Sequence, residues 1–222
     1  MVRTTIRMTL PLLAAAVLAG CNLLNYPLAL IAPELPGPKV HAEYEGLEGR
    51  TVAVVVFAGM DVRYDYPTVR EELAGAINRH LEDNVDDVRT IDAKQVVRYQ
   101  DSHPRWRSEP LGDLGRALGA DAVLYVSLTE FSMQERGSLS LPQGRVSGQL
   151  SVWDAQALSP GQDPCQWRKD SVSAQVQSEP GSFIDRRQLV YLTREMFAQT
   201  VVRYFHEYRL DNQEPQQQAS EP

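Results

Sequence analysis

Cysteine is nearly missing from this 222-residue chain, occurring only at positions 21 and 165, so no disulfide framework holds the fold. Histidine is as scarce: His41, His80, His103 and His206 are scattered without metal-ligand spacing. No GxSxG, HExxH, CxxC, GxGxxG or GxxxxGK[ST] motif is present, which removes the common local signatures of hydrolases, zinc enzymes and nucleotide binders. A basic excess is also lacking. The formal charge is −7, whereas nucleic-acid binders carry a basic face. The apolar run Met8–Leu18 is shorter than the ~20 residues of a permanent membrane-spanning helix. No metal, cofactor or nucleic acid is expected, and no catalytic constellation assembles.

What is present begins at the amino terminus. Arg3 and Arg7 precede the short apolar run, and small residues then close it before a cysteine. Leu18-Ala19-Gly20-Cys21 resembles the lipobox of bacterial lipoprotein signal peptides at all four positions. The resemblance implies cleavage before Cys21, a thioether-linked diacylglycerol on its sulfur and acylation of the new terminus. Removing residues 1–20 takes two positive charges with it and moves −7 to −9. Several acyl chains anchor far more firmly than one. Asn22 follows in place of Asp, which by family analogy sorts the protein to the outer membrane. The plain alternative is an ordinary secretory signal with a chance cysteine.

Residues 21–49 read as a lipidated tether, interrupted by Pro27, Pro33, Pro36 and Pro38. Within it, Leu28–Ile31 is apolar and has the character of a surface- or membrane-contacting stretch. Residues 50–209 read as one periplasmic domain, and 210–222, polar and Gln-rich, as a disordered tail.

The domain opens with Thr51–Phe57, a β-branched run without charge and so a strand buried on both faces. A lone-glycine loop, Ala58–Asp61, follows. An amphipathic helix is expected from about Tyr66 to Leu81, burying Val69, Leu73, Ala76, Ile77 and Leu81, with Arg70, Glu71, Glu72 and Arg79 in water. A strand Asp87–Ile91 and a short helix Ala93–Arg98 capped by Asp92 come next. Leu111, Leu114 and Leu118 give one face of a helix ended by Gly119, and Ala122–Val126 is a second buried strand continuing to Phe131. Asp121 reads as a cap on the glycine turn between them. Alternation over Val146–Trp153 and Gln166–Gln177 makes an antiparallel hairpin at the sheet edge. Ser182–Asp185 matches a capping box that starts a long helix, Phe183 to about Tyr208, with Arg186, Arg187, Arg194, Glu195 and Arg203 on its solvated side. The fold class is α/β in the mixed sense: about five strands, an antiparallel edge hairpin and helices packed on the sheet.

Thr51–Phe57, Leu114–Leu128, Gly148–Gln156 and Trp167 together resemble a group of small periplasmic lipoprotein domains. The group comprises the curli-secretion lipoprotein, the outer-membrane activators of penicillin-binding proteins and the amino-terminal domain of the Tol-system propeller protein. The resemblance implies a non-enzymatic domain that docks on envelope proteins or self-assembles, and it transfers no binding residue. Two departures stand out. The tether is shorter than in synthase activators, and Met133–Arg145 is short and polar for a lipid-crossing hairpin.

The candidate partner surface is Arg98, Tyr99, Arg105, Trp106 and Arg107, where cations interleave with aromatic rings. Its plain alternative is a loop whose Trp106 folds back onto the domain. Expected partners are the lipid anchor, an envelope protein and a second copy of the chain. Cys165 reads as a thiol packed near Trp167. The expectation is a non-catalytic binding or assembly module in envelope biogenesis or transport. The alternatives are a ring-forming export component and a hydrolase using Asp61, the Tyr64–Tyr66 loop, His103 or Cys165.

Overall fold

The computed structural model describes residues 37–133, 142–156, 164–177 and 185–210. Cys21, Asn22, the Leu28–Ile31 stretch, Ser182, Phe183 and the tail beyond residue 210 lie outside the described residues. Val40–Tyr208 forms a compact unit, and the residues flanking it belong to a second.

Five strands form one mixed sheet in the order β3-β2-β4-β5-β6. β2 (Thr51–Phe57) pairs in parallel with β3 (Arg89–Thr90) and β4 (Ala122–Ser132); β4, β5 (Gln143–Asp154) and β6 (Cys165–Gln177) run antiparallel. The expected fold class is what the chain adopts. Two short strands, β1 (Lys39–Val40) and β7 (Tyr208–Arg209), make a two-stranded sheet of their own.

Strand alternation sorts the core into two layers. Val52, Val54 and Val56 of β2 join Leu124, Val126, Val146 and Leu150 on one face, beneath α2 (Val69–Asn84) and α5 (Arg186–Val202). Ala53, Val55 and Val123 face the other way, beneath α3 (Ala93–Ser102) and α4 (Leu111–Leu118). Buried residues on both faces explain why β2 and β4 are continuous apolar runs. Leu47, in the stretch read as tether, has 0% exposure and packs in the first layer.

The α4–β4 junction follows its sequence closely. Gly119 closes the helix at φ 75°, its N–H reaching the Arg116 carbonyl, a left-handed conformation that costs glycine little. Asp121 plays another part than the expected turn cap. Its carboxylate accepts from the Thr51 N–H at 2.9 Å, while its own N–H donates to the Thr51 carbonyl at 2.7 Å. It therefore ties the start of β4 to the start of β2, seventy residues back in sequence.

Several expectations are corrected. The Ala58–Asp61 loop leads into a one-and-a-half-turn helix, α1 (Met60–Asp65), and α2 begins at Val69, not Tyr66. Pro67 sits in the break between them. β3 spans only Arg89–Thr90, and α3 continues past Arg98 to Ser102, with Asp92 capping the Lys94 and Gln95 N–H groups as expected. α5 starts at an Asp185 cap and stops at Val202, so Tyr204 and Phe205 pack from a turn. Arg70 is buried, where the period had put it in water. Arg194 and Glu195 are likewise packed between α2 and α5, with 14% and 20% side-chain exposure, bonded to Glu72 (2.6 Å) and Arg79 (2.8 Å). Charges at a helix–helix seam satisfy the polar side of the period while losing most of their own exposure to water.

Candidate functional site

Three places carry side chains not absorbed by the core. The first is the carboxyl end of β2, where open α/β sheets often bind ligands. α1 projects there, with Met60 and Tyr64, one helical turn apart, 85% and 87% exposed. Arg70 lies behind it with only 10% of its side chain exposed, donating to Gln100 Oε1 (3.3 Å) and Asp101 Oδ1 (2.7 Å). Gln100 in turn donates to the Val56 carbonyl at 3.1 Å. This chain of bonds fixes α2, α3 and the end of β2 to one another, so α1 stands on a rigid base.

The second is the segment singled out for its cations and rings. Trp106 is 7% exposed, wedged edge-on between Phe57 (6.5 Å between centroids) and Tyr125 (6.3 Å). A short 3-10 turn, Trp106–Ser108, aims the indole inward. Arg107 stacks on Phe57 with its guanidinium carbon 3.7 Å from the ring centre, and Tyr99 stacks on His103 at 4.1 Å. Arg98 and Arg105 are exposed. The five residues thus divide: Trp106 is core, Tyr99 and Arg107 lie against rings of the domain, and two arginines face solvent.

The third had no sequence signal beyond Trp167, because its members come from three separate stretches. Trp167 on β6 meets Phe205 (5.2 Å), Tyr204 (5.7 Å) and Tyr44 (6.2 Å). Lys169 Nζ lies 4.8 Å above the Tyr204 ring and donates to both Glu43 carboxylate oxygens at 2.9 and 3.1 Å. Burial raises the Tyr204 and Tyr44 hydroxyls above the ordinary tyrosine range, and the bond to Glu43 raises Lys169. The N–H groups of Glu43 and Tyr44 both reach the Tyr204 carbonyl, at 2.9 and 3.1 Å. Arg203 lies 5.2 Å over Tyr208.

The residues of the hydrolase alternative do not converge. Cys165 pairs with Trp153, Trp153 with Val123 and Val123 with Ala53, three strands across the sheet. Asp61 lies beyond Phe57, four residues up β2 from Ala53, which puts the two about 20 Å or more apart at ordinary strand spacings. His103 shares the upper end with Asp61, yet its Nδ1 is taken up by the Tyr99 carbonyl and Ser102 hydroxyl, both at 3.0 Å. Cys165 Sγ contacts the Trp167 backbone carbonyl at 3.6 Å. Among the described residues there is no group of three or more potential metal ligands, and no helix is long and apolar enough to cross a membrane.

Fold and surface together define a mixed α/β domain with aromatic and cationic side chains at two opposite ends. No family model and no curated protein matches the chain. Solved structures similar to it include lipoprotein GNA1162 from Neisseria meningitidis, at 17% identity over 64% of this chain and 91% of that one (TM-score 0.41). The PelC dodecamer from Paraburkholderia phytofirmans is 12% identical over 78% and 94% (TM-score 0.39). The LpoB C-terminal domain from Salmonella enterica is 15% identical over 59% and 84% (TM-score 0.30). At such identities and scores the function must be read from the chain's own residues.

Proposed function

We propose that this protein is an outer-membrane lipoprotein, held by acyl chains on Cys21 and sorted by Asn22, whose α/β domain is a non-catalytic binding module of the cell envelope. The observation that carries this reading is Leu18-Ala19-Gly20-Cys21 after a short apolar run and two arginines. The exposed Met60–Tyr64 pair and the Arg98 and Arg105 side chains supply surface of the kind protein partners use.

In-cell crosslinking followed by pull-down from membranes tests the reading. Capture of the same envelope protein by wild type, weakened by Tyr64→Ala, supports it. Hydrolysis of envelope material by the purified protein contradicts it.

A second reading, self-assembly into an export component, is favoured by one observation. Among the described residues β6 pairs with β5 on one side only, and its stretch Ser171–Gln177 carries neither charge nor proline, the usual guards of an unpaired edge. Light scattering on the detergent-solubilised full chain distinguishes a monomer from a ring.

A further inference from the structure

We propose that two copies of this chain join edge to edge, β6 against β6 in antiparallel register about a two-fold axis at Ala174, with the Leu192–Met196 flank of α5 closing over the joint. This inference rests on the self-assembly reading above and deepens it: a second copy covers the β6 edge, and the product is a closed pair, not a ring.

The two edges of the sheet differ. β3 is guarded. It is two residues long, and since the Arg89 and Ile91 N–H groups bond carbonyls of Arg50 and Val52, the Thr90 N–H turns outward. There Glu82 Oε1 takes it at 3.1 Å and takes the Thr90 hydroxyl at 2.6 Å. β6 is thirteen residues long, and among the described residues nothing pairs with its outer side. A ring closed through the sheet would have to join β6 of one copy to β3 of the next, where the strand is short and its donor occupied. Pairing of β6 with itself needs only one kind of edge, the isologous arrangement of a two-fold pair.

Ser171–Gln177 is complementary to itself. Val172, Ala174 and Val176 point into the core beneath α5, while Ser171, Ser173, Gln175 and Gln177 take the other face. A two-fold axis perpendicular to the sheet makes the paired strands antiparallel and keeps each face continuous. Centred on Ala174, it sets Val172 opposite Val176 and Ser173 opposite Gln175 of the copy. The apolar row then runs unbroken from one domain to the other, and no charge enters the ladder. Sliding the centre to Ser173 would set Asp170 against Val176.

The helix above the edge carries an apolar flank at the same place. α2 packs over β2, and α5 lies over β5 and β6. Arg194 bonds Glu72 of α2 at 2.6 Å, and Met196 stands about 200° further round the helix. Met196 therefore faces away from α2, toward the free edge, with Leu192 one turn before it. Met196 is 42% exposed and Leu192 half-buried. Thr193 sits directly on Gly144, which pairs with Val176, and α5 runs toward the Trp167 end of β6, where Tyr204 and Phe205 follow it. Met196 is about 4.5 Å further along, which brings it level with Gln175 and Ala174 at ordinary strand rise. With strands about 4.8 Å apart, α5 and its copy come about 10 Å apart, the ordinary spacing of packed helices. Strand pairing alone is marginal in water; the two Met196 side chains over the axis supply adaptable apolar contact.

The test uses the full, acylated chain in detergent, where light scattering should give the protein mass of two chains. Cysteines introduced together by Ser173→Cys and Gln175→Cys face each other across the joint, with Cα atoms about 4.5–5.5 Å apart and within disulfide reach. Mild oxidation should link the chains of this double variant. Either substitution alone should not link them, nor should Cys165 in the unaltered chain, about 30 Å along the strand from the axis. Ser173→Lys places like charges beside the axis on the solvent face, and Met196→Lys places them over the helix joint. Each should raise the dimer dissociation constant about tenfold or more while the circular dichroism spectrum stays unchanged. A pair whose affinity either lysine leaves unaltered, or whose double-cysteine form stays unlinked, overturns the β6 joint and leaves self-assembly in place. A particle of more than two chains does the same. A monomer at every concentration overturns self-assembly, and the inference with it.

Discussion

Replacing Asp121 by alanine removes one carboxylate that spans β2 and β4. In the native chain its Oδ2 accepts the Thr51 N–H at 2.9 Å, and the reciprocal bond from the Asp121 N–H to the Thr51 carbonyl measures 2.7 Å. Only the first is lost, because the second belongs to the backbone. A hydrogen bond to a charged group contributes about 1.5–3 kcal/mol. Partial exposure lets water take up part of the vacated N–H, so we expect a cost of about 1–2 kcal/mol. For a domain of this size each kcal/mol lowers Tm by about 2–4 °C, which predicts a fall of about 2–8 °C. Asp121→Asn keeps an acceptor and should lose less than half as much. Thermal unfolding followed by circular dichroism, with urea midpoints as a check, reads both. A melting point unchanged by the alanine substitution, or equal losses for alanine and asparagine, refutes the two-strand tie. A loss confined to α4 exchange protection, with the β2 amides untouched, restores the glycine-turn cap.

Three further outcomes follow from the packing. Arg70→Ala removes the donor to Gln100 Oε1 and the ion-pair partner of exposed Asp101, while Gln100 keeps its bond to the Val56 carbonyl; with the packing of the buried arginine also lost, the expected cost is about 1–3 kcal/mol in urea unfolding, whereas a solvated arginine would give within about 0.5 kcal/mol of zero. Gly115→Ala places a Cβ 2.7 Å from Val123 Cγ2 and 2.8 Å from Ala155 Cβ, so overpacking by about 1–3 kcal/mol should outweigh the better helix propensity of alanine, and a stabilised variant would show that α4 stands further off the sheet. Tyr44, Tyr204 and Lys169 all have folded values raised above their unfolded ones; their contribution is complete below the ordinary tyrosine value of 10.0 and is lost as pH rises through the folded values, so urea midpoints should hold to about pH 10 and then fall, less steeply in Lys169→Met.

The sheet was legible because a single rule, alternation with burial, operates within each strand. Thr51–Phe57 is an unbroken apolar run because α2 and α3 cover its opposite faces, and Val146–Val152 alternates because β5 is covered on one face along most of its length. Gly119 was legible because its backbone conformation is local. α1 was not: six residues with one buried side chain, Val62, present no period. The charged residues misled for one reason. Arg70, Arg194 and Glu195 occupy polar positions of their helices, yet those positions face another helix, and only tertiary packing says so. Trp106 shows the reverse, a ring in a polar loop recruited to the core by a single 3-10 turn. The Trp167 cluster escaped the sequence altogether, since Tyr44, Trp167, Lys169, Tyr204 and Tyr208 are brought together from both ends of the domain and its edge strand.

The most direct test is the intact mass of the mature protein extracted from membranes, with flotation of the same sample. A chain beginning at Cys21 with the added mass of diacylglycerol and one further acyl group, floating with vesicles and released to the soluble fraction by Cys21→Ala, is the predicted result. A mature chain that begins elsewhere, or carries an unmodified Cys21, contradicts the account.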